Sequence, residues 1–178
     1  MKTFKDNIKQ IKTEETRMLT YDDEQEILKL IKKSIVNKDE LHIGGQLTKE
    51  DKNVDSFFNL EILPLLMSGE PVFGCFLEGD LAGLSCCHTK LNNFYSFKES
   101  VAIGGITVTD PGHRRKGVCT KLRMKIGQHL KKKGIKKFIF EINQDNEASL
   151  SNAKKIADKL RSDAKLLSFK FEAKTDVF

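Results

Sequence analysis

The segment HRRKGVC, residues 113–119, places consecutive cations directly before a glycine. The cations are Arg114, Arg115 and Lys116, and Gly117 follows them. Cations attract phosphate groups, and a glycine lets a bulky group approach the backbone closely. From charge alone, the segment could be a solvated surface turn, a contact to nucleic acid or an anion-binding loop.

The elements around this segment would place it at the start of a helix. The stretch VAIGGITV, residues 101–108, has the composition of a strand, and apolar residues recur every fourth position after Gly117. The first backbone N–H groups of a helix have no partner inside it and form an anion site. The amides expected to line this site are those of Arg115, Lys116, Gly117, Val118, Cys119 and Thr120. Neither a Walker A loop nor a dinucleotide-binding glycine motif is present.

Periodicity predicts ten elements in the order β-α-α-β-β-β-α-β-α-β. Asp22 looks like the N-cap of the first helix, with Gln25 as its capping-box partner, and Pro64 should kink or split the second helix. Gly104 and Gly105 suggest either a bulge or a close approach of another group to the backbone in the third of the central strands. The predicted elements are strands at 11–20, 72–91 (two strands joined at Gly79), 101–108, 136–142 and 166–174, and helices at 22–37, 54–68, 118–133 and 146–160.

This order predicts an α+β, or mixed α/β, fold. The β–helix–β run over 101–142 implies a right-handed crossover, so its two strands should pair in parallel within an otherwise antiparallel sheet. The two strands within 72–91 join through a short turn at Gly79, which favours antiparallel pairing.

Composition indicates a single soluble domain over residues 1–178. The formal net charge of +6 favours anionic ligands without choosing among them. No apolar run is long enough to span a membrane, and the N-terminus lacks the apolar region of a secretory signal. The four cysteines lack metal-binding spacing and indicate free, buried thiols in a reducing cytoplasm, and the scattered histidines give no support to a metal site.

The stretch ITVTDPGHRRKGVCTKLRMKIGQHL resembles the acetyl-CoA-binding motif of the GNAT family of N-acetyltransferases. In that family a strand leads into Q/R-x-x-G-x-G/A at a helix start. Arg114, Gly117 and Cys119 occupy the three fixed positions, with cysteine in place of the usual glycine or alanine. The following stretch FIFEINQDNEAS resembles the family's next motif, and the element order matches along nearly the whole chain.

The resemblance implies a GNAT fold that binds acetyl-CoA. The pyrophosphate would lie on the amides of residues 115–120, and the pantetheine arm would follow the strand at Ile106, Thr107 and Val108. The N–H of Val108 is expected to hold the thioester oxygen as negative charge develops on it. Asn146 stands where the family has an asparagine that contacts the cofactor.

The catalytic residues depart from the common family pattern. Many members carry a tyrosine acid seven residues beyond that asparagine, and here the position is Ala153. The stretch VNKDELHI, residues 36–43, resembles a segment of the insect arylalkylamine N-acetyltransferases, which implies Glu40 as the base. That branch uses serines as the acid, which indicates Ser149, with Ser151 as the neighbouring choice. Rival bases are Glu99 and Glu141.

Three functions stay open on this basis. The first is transfer of an acetyl group from acetyl-CoA to a small primary amine, arylalkylamine or polyamine-like. The second is acetylation of a protein or peptide, and the third is a non-catalytic module that binds coenzyme A or nucleic acid. For the first we expect a monomer or homodimer without nucleic-acid or membrane partners.

Overall fold

The computed structural model describes residues 13–35, 54–90, 100–139, 142 and 146–160. The helical elements are a 3₁₀ turn at Tyr21–Asp23, α1 at Glu24–Ile35, α2 at Val54–Phe57, a π-helical turn at Phe58–Ile62, α3 at Leu63–Ser68, a 3₁₀ turn at Pro111–His113, α4 at Val118–Lys132 and α5 at Glu147–Leu160. The strands are β1 at Glu14–Met18, β2 at Val72–Leu77, β3 at Asp80–His88, β4 at Val101–Thr109 and β5 at Lys137–Ile139. In these ranges we find no helix of the length and apolarity that a membrane span requires.

The five strands form one sheet in the order β1-β2-β3-β4-β5. The first three pairings are antiparallel, and β4 pairs with β5 in parallel. The crossover from β4 through α4 to β5 therefore confirms the predicted parallel pair and the mixed fold class. The strand predicted at 166–174 lies outside the described residues.

Each face of the sheet carries its own apolar core. Helix α1 and the segment from α2 to α3 pack on one face, where Ile27, Ile31 and Ile62 are almost fully buried. Helix α4 packs on the other face through a buried stripe formed by Val118, Leu122, Ile126 and Leu130. The sheet is thus covered on both sides, and α4 begins where β4 ends.

The cysteines follow the alternation of strand side chains. Cys86 belongs to the core under α1, whereas its neighbour Cys87 belongs to the core under α4. Burial raises the pKa of each of these two thiols to about 12, so both stay protonated. Cys75 is also buried and Cys119 is half-buried, and all four are free thiols. The prediction of buried free thiols is confirmed for three of the four.

The start of the first helix differs from the prediction. A 3₁₀ turn precedes α1, and Asp23, not Asp22, accepts a hydrogen bond from the N–H of Thr20 at 2.9 Å. Asp23 is selected because Arg17 on β1 binds both of its carboxylate oxygens, at 2.6 and 2.9 Å. This hydrogen-bonded guanidinium is the main reason that the pKa of Asp23 lies below its usual value. The predicted Asp22–Gln25 capping box was wrong.

Pro64 interrupts the second helical segment as predicted. Proline has no N–H to donate to the preceding turn, and its ring crowds that turn. The chain widens into the π-helical turn at Phe58–Ile62 immediately before α3, which carries Pro64 in its first turn. The helix then ends at Gly69, which adopts φ +67°. The predicted range 54–68 is therefore correct, but it contains three helical pieces.

Candidate active site

The connection from β4 to α4 is a tight turn with two residues in the left-handed region. Arg115 has φ +62° and Gly117 has φ +83°. Successive N–H groups in such turns point into one concavity, which suits an anion. A Cβ added to Gly117 would meet no atom within 4 Å, so space is open above the backbone at this point.

The backbone amides of this turn are available for a ligand. Among the described residues, none of the N–H groups of 115–120 donates to a backbone carbonyl, and the first helical bond runs from Lys121 N–H to the Gly117 carbonyl at 3.0 Å. Arg115 and Lys116 are exposed at the rim, and Arg114 is half-buried. The structure therefore brings the sequence-predicted residues Arg114–Thr120 into one loop and helix start, with the geometry of an anion cradle.

Among the described strands, the edge of β4 next to this cradle has no partner beyond Ile103, and this stretch is called the open edge. β5 pairs with β4 only at Val101, Ala102 and Ile103, so among the described strands nothing pairs with residues 104–109 on that side. The side opposite is occupied by β3, which pairs with β4 up to Gly83↔Thr109. An extended ligand could therefore add to this edge as a strand would.

The alternation of hydrogen-bonded pairs between β3 and β4 shows that the N–H of Val108, the predicted donor to the ligand, faces the wrong side of the strand. The N–H of Asp110 donates to the Ala82 carbonyl at 2.9 Å, and Val108 pairs with Leu84 two residues earlier. Because hydrogen-bonded pairs recur every second residue, the Val108 N–H also points toward β3. The amides that face the open edge are those of Thr107 and Thr109. The phase depends on strand pairing, so the sequence alone could not reveal it.

Asp110 fixes the start of the cradle. Its side chain accepts hydrogen bonds from the Gly112 N–H at 2.8 Å and from Lys33 on α1 at 3.0 Å, and it lies 3.7 Å from Nδ1 of His113. Burial alone would raise the pKa of Asp110, but these donors outweigh burial and lower it below its usual value. Asp110 was not among the predicted site residues, although Asp-Pro-Gly is a turn signal in which the aspartate accepts from a nearby N–H.

We expect Asp110→Asn to lower the free energy of unfolding by about 2 kcal/mol at pH 7, because a buried carboxylate loses its charge-assisted bond to Lys33. With its pKa lowered by folding, Asp110 stabilises the protein fully above the usual aspartate pKa of about 3.9 and loses this effect as the pH falls through the lowered value. Denaturant unfolding between pH 7 and pH 2 should therefore show a shallower acid slope for the variant.

Asp80→Asn is the matched control for this prediction. Asp80 also binds a lysine of α1, with Lys29 at 2.9 Å, but its side chain is 57% exposed. Exposed ion pairs contribute little, so its replacement should change stability much less. Equal losses for the two variants would show that Asp110 does not act as a buried anchor.

Helix α5 lies beside the first two turns of α4 and carries two of the predicted residues. The side-chain oxygen of Asn146 accepts from the Ser149 N–H at 2.9 Å, so Asn146 caps this helix. The hydroxyl of Ser149 accepts from Arg123 at 3.1 Å. Asn152, which sequence analysis missed, donates to Thr120 at 2.7 Å in the first turn of α4. Roles for Asn146 in cofactor binding and for Ser149 as an acid stay predictions.

Several predicted catalytic residues cannot be placed. Glu40, Glu99 and Glu141 all lie outside the described residues. The described part of the chain also places an unpredicted imidazole near Gly105 of β4, since a Cβ built on Gly105 would lie 3.5 Å from Nε2 of His88 on the neighbouring strand β3. No sequence motif marks this histidine, which becomes visible only through strand pairing.

Solved structures with the same fold are N-acetyltransferases. An N-acetyltransferase from Staphylococcus aureus shares 19% identity with a TM-score of 0.61, covering 80% of this chain and 81% of that chain. An aminoglycoside acetyltransferase from an uncultured soil metagenomic sample, in complex with sisomicin, shares 16% identity with a TM-score of 0.59, covering 90% and 97%. The PaiA N-acetyltransferase from Thermoplasma acidophilum, in complex with coenzyme A, shares 18% identity with a TM-score of 0.59, covering 80% and 87%. At such low sequence identities, the structural similarity shows only that this chain has the same fold.

The family is shown by the sequence itself. No curated protein is significantly similar to the chain. A model of the acetyltransferase (GNAT) family matches residues 38–157, which is more than half of the chain and includes β4, the cradle and α4. The protein therefore belongs to the GNAT acetyltransferase family, an enzyme family that uses acetyl-CoA.

Proposed function

We propose that this protein transfers an acetyl group from acetyl-CoA to the primary amine of a small molecule, by direct attack in a ternary complex. The observation that carries the proposal is the cradle of available amides at 115–120 beside the open edge of β4. The two features are contiguous, so one extended ligand with a phosphorylated end and an amide-containing arm can occupy both. Family membership supports acetyl-CoA as that ligand.

The proposed roles of the backbone follow from this placement. Acetyl-CoA supplies an acyl group activated as a thioester. The amides of residues 115–120, with Arg114, Arg115 and Lys116 at the rim, would hold its pyrophosphate. Thr109 lies nearer the cradle and would bind the arm, whereas Thr107 lies further along the edge. The Thr107 N–H would then face the thioester oxygen, where negative charge develops in the transition state.

The proton transfers need a base and an acid. The amine nitrogen bonds to the acetyl carbon as the carbon–sulfur bond breaks, one amine proton passes to the base, and the departing sulfur gains a proton. We assign the base to Glu40 and the acid to Ser149, as the resemblance to arylalkylamine N-acetyltransferases implies. His88, beside the bulge at Gly105, is a second candidate base that the geometry offers.

A small amine is the proposed acceptor. Several of the solved structures with this fold are named as aminoglycoside acetyltransferases, which supports a polyamine-like acceptor here without establishing one. The net charge of +6 argues against strongly cationic acceptors, which would prefer acidic walls, and this applies to a cationic peptide and to a polyamine alike. Protein or peptide acetylation and a non-catalytic module that binds coenzyme A are the competing functions.

A panel of amines tests the proposal through release of free coenzyme A thiol. The panel contains arylalkylamines, linear polyamines, aminoglycosides and an N-terminal peptide, each with acetyl-CoA at fixed concentration. We expect acetyl-CoA alone to raise the melting temperature and at least one small amine to increase thiol release at least tenfold above hydrolysis. Release with the peptide alone would support protein acetylation instead. A thermal shift without release for any amine would favour the non-catalytic module.

A further inference from the structure

Strand β4 carries a bulge directly before its open edge. On β3, Ser85 pairs with Thr107 and Cys87 pairs with Gly104, so Cys86 alone faces two residues of β4, Gly105 and Ile106. This confirms the bulge predicted from the two glycines. A classic bulge leaves the ladder locally disrupted, so its backbone groups need other partners.

The thiol of Cys86 supplies those partners. The Ile106 N–H donates to Sγ of Cys86 at 3.1 Å, and the thiol lies 3.5 Å from the Ile106 carbonyl, to which it donates. Cys86 is 1% exposed, so no water competes for these groups. Because burial raises the pKa of Cys86 to about 12, the sulfur keeps the proton that it donates.

Gly105 of β4 lies directly against Sγ of Cys86 and leaves no space for a side chain at position 105. A Cβ added to Gly105 would lie 2.7 Å from Sγ of Cys86, a distance so short that one of the two groups would have to shift. Glycine at 105 and cysteine at 86 are therefore matched, because a larger residue at 105 would push the sulfur away from Ile106. The side chain of Ser85 adds a third cross-strand hydrogen bond, with the Thr107 hydroxyl at 2.8 Å.

We propose that Cys86 is a positioning residue that holds the β4 bulge through Ile106 and thereby aims the Thr107 N–H at the acyl oxygen of the bound donor. Ile106 precedes Thr107 directly, so rotation of the peptide unit at the bulge changes the direction of the next N–H. The proposal rests on the proposed function, since it concerns the same edge of β4. It adds a residue on β3 that does not touch the donor.

Isotope-edited infrared spectroscopy of bound acetyl-CoA, labelled with ¹³C at the thioester carbonyl, tests the proposal. A hydrogen bond to this carbonyl lowers its stretching frequency, and the wild-type protein should show such a shift. We expect Cys86→Ala to return the band at least halfway to its position in free acetyl-CoA. Cys86→Ser keeps a donor and acceptor at the site and should retain most of the shift. Gly105→Ala should act like Cys86→Ala.

Turnover and affinity provide the second readout. The kcat should fall about 10-fold in Cys86→Ala, less than complete loss of an oxyanion donor would cause. The Kd of coenzyme A without the acetyl group should change less than about twofold, because the cradle is untouched. For comparison, a tenfold change in Kd corresponds to about 1.4 kcal/mol. Cys87→Ala removes an equally buried thiol from the opposite face and should leave the carbonyl band in place.

The outcomes separate this proposal from the proposed function. Unshifted bands in both Cys86→Ala and Gly105→Ala, in a wild-type protein that binds and polarises acetyl-CoA, would overturn the role of Cys86 alone. That role would also be overturned if Cys87→Ala moved the band as far as Cys86→Ala. Failure of the wild-type protein to bind acetyl-CoA would overturn both proposals. Should Cys86→Ala not fold, Cys86→Ser and Gly105→Ala decide the matter.

Discussion

Gly117→Glu is expected to weaken the binding of acetyl-CoA by at least about 100-fold, which corresponds to about 2.7 kcal/mol. Gly117 lies at the centre of the cradle, and its Cβ would enter the open space where the pyrophosphate is proposed to lie. A carboxylate at this point would repel the phosphates and occupy their place. The residue would also be strained, because φ at 117 is +83°. Titration calorimetry and the thermal shift with acetyl-CoA measure the effect.

Two further variants isolate the charge from the strain. Gly117→Gln has the size and strain of glutamate without its charge, so it should lose about tenfold rather than 100-fold in affinity. Gly134→Glu repeats the strain at the opposite end of α4, where φ is +72° and a Cβ would again meet no atom within 4 Å. It should lower stability without changing the affinity for acetyl-CoA. Equal losses of affinity in Gly117→Glu and Gly134→Glu would refute the cradle.

Local sequence patterns were sufficient for the elements that build this cradle. Buried residues at every fourth position of α4 and the strand composition of 101–108 predicted both elements to within a few residues. Gly104 and Gly105 predicted the bulge, because a glycine tolerates the contact with a facing side chain that any Cβ would make. These features depend on residues close in sequence, which is why they could be read directly.

Long-range partners decided the features that sequence analysis missed or misplaced. Asp22 was predicted as the cap, but Thr20 is the N-cap, and Arg17 on the preceding strand holds Asp23 as its capping-box partner. Lys33 on α1 donates a hydrogen bond to Asp110, although 77 residues separate the two in the sequence. The Val108 amide was predicted to face the ligand, but pairing with Leu84 directs it into the sheet. The two ion pairs required knowledge of tertiary packing, and the Val108 case required knowledge of strand register, which a one-residue shift would reverse.

The same distinction applies to the catalytic groups. The cradle is made of backbone, so its position follows from the strand and helix that frame it. An acid or a base can stand on any element that reaches the open edge, and no spacing rule fixes its place in the chain. His88 is an example of a side chain that no local pattern marks, because it approaches Gly105 only through the irregular pairing of β3 with β4. Assignment of the base therefore depends on kinetics.

Glu40→Gln is expected to lower kcat about 100-fold or more, within the range of 10²–10⁴ typical for loss of a general base. An alkylamine has a pKa of about 10.4, so nearly all molecules carry a proton at pH 7 that must leave before attack on the thioester. If Glu40 removes this proton, the loss should be greatest near neutral pH and smaller at pH 9–10, where more amine is already neutral. The affinity for acetyl-CoA should stay unchanged. Turnover with the best amine of the panel, measured from pH 6 to pH 10, gives the profile.

Asp39→Asn and His88→Gln complete the test of the base. Asp39 is the adjacent carboxylate in the same segment, so its replacement controls for a general loss of negative charge there and should leave kcat within about twofold, since it is not assigned to proton transfer. A pH-dependent loss in His88→Gln with normal turnover in Glu40→Gln would transfer the role to the imidazole. Losses in both variants that are independent of pH would indicate amine binding by these side chains rather than proton removal, because a base is needed less as the amine loses its proton in solution.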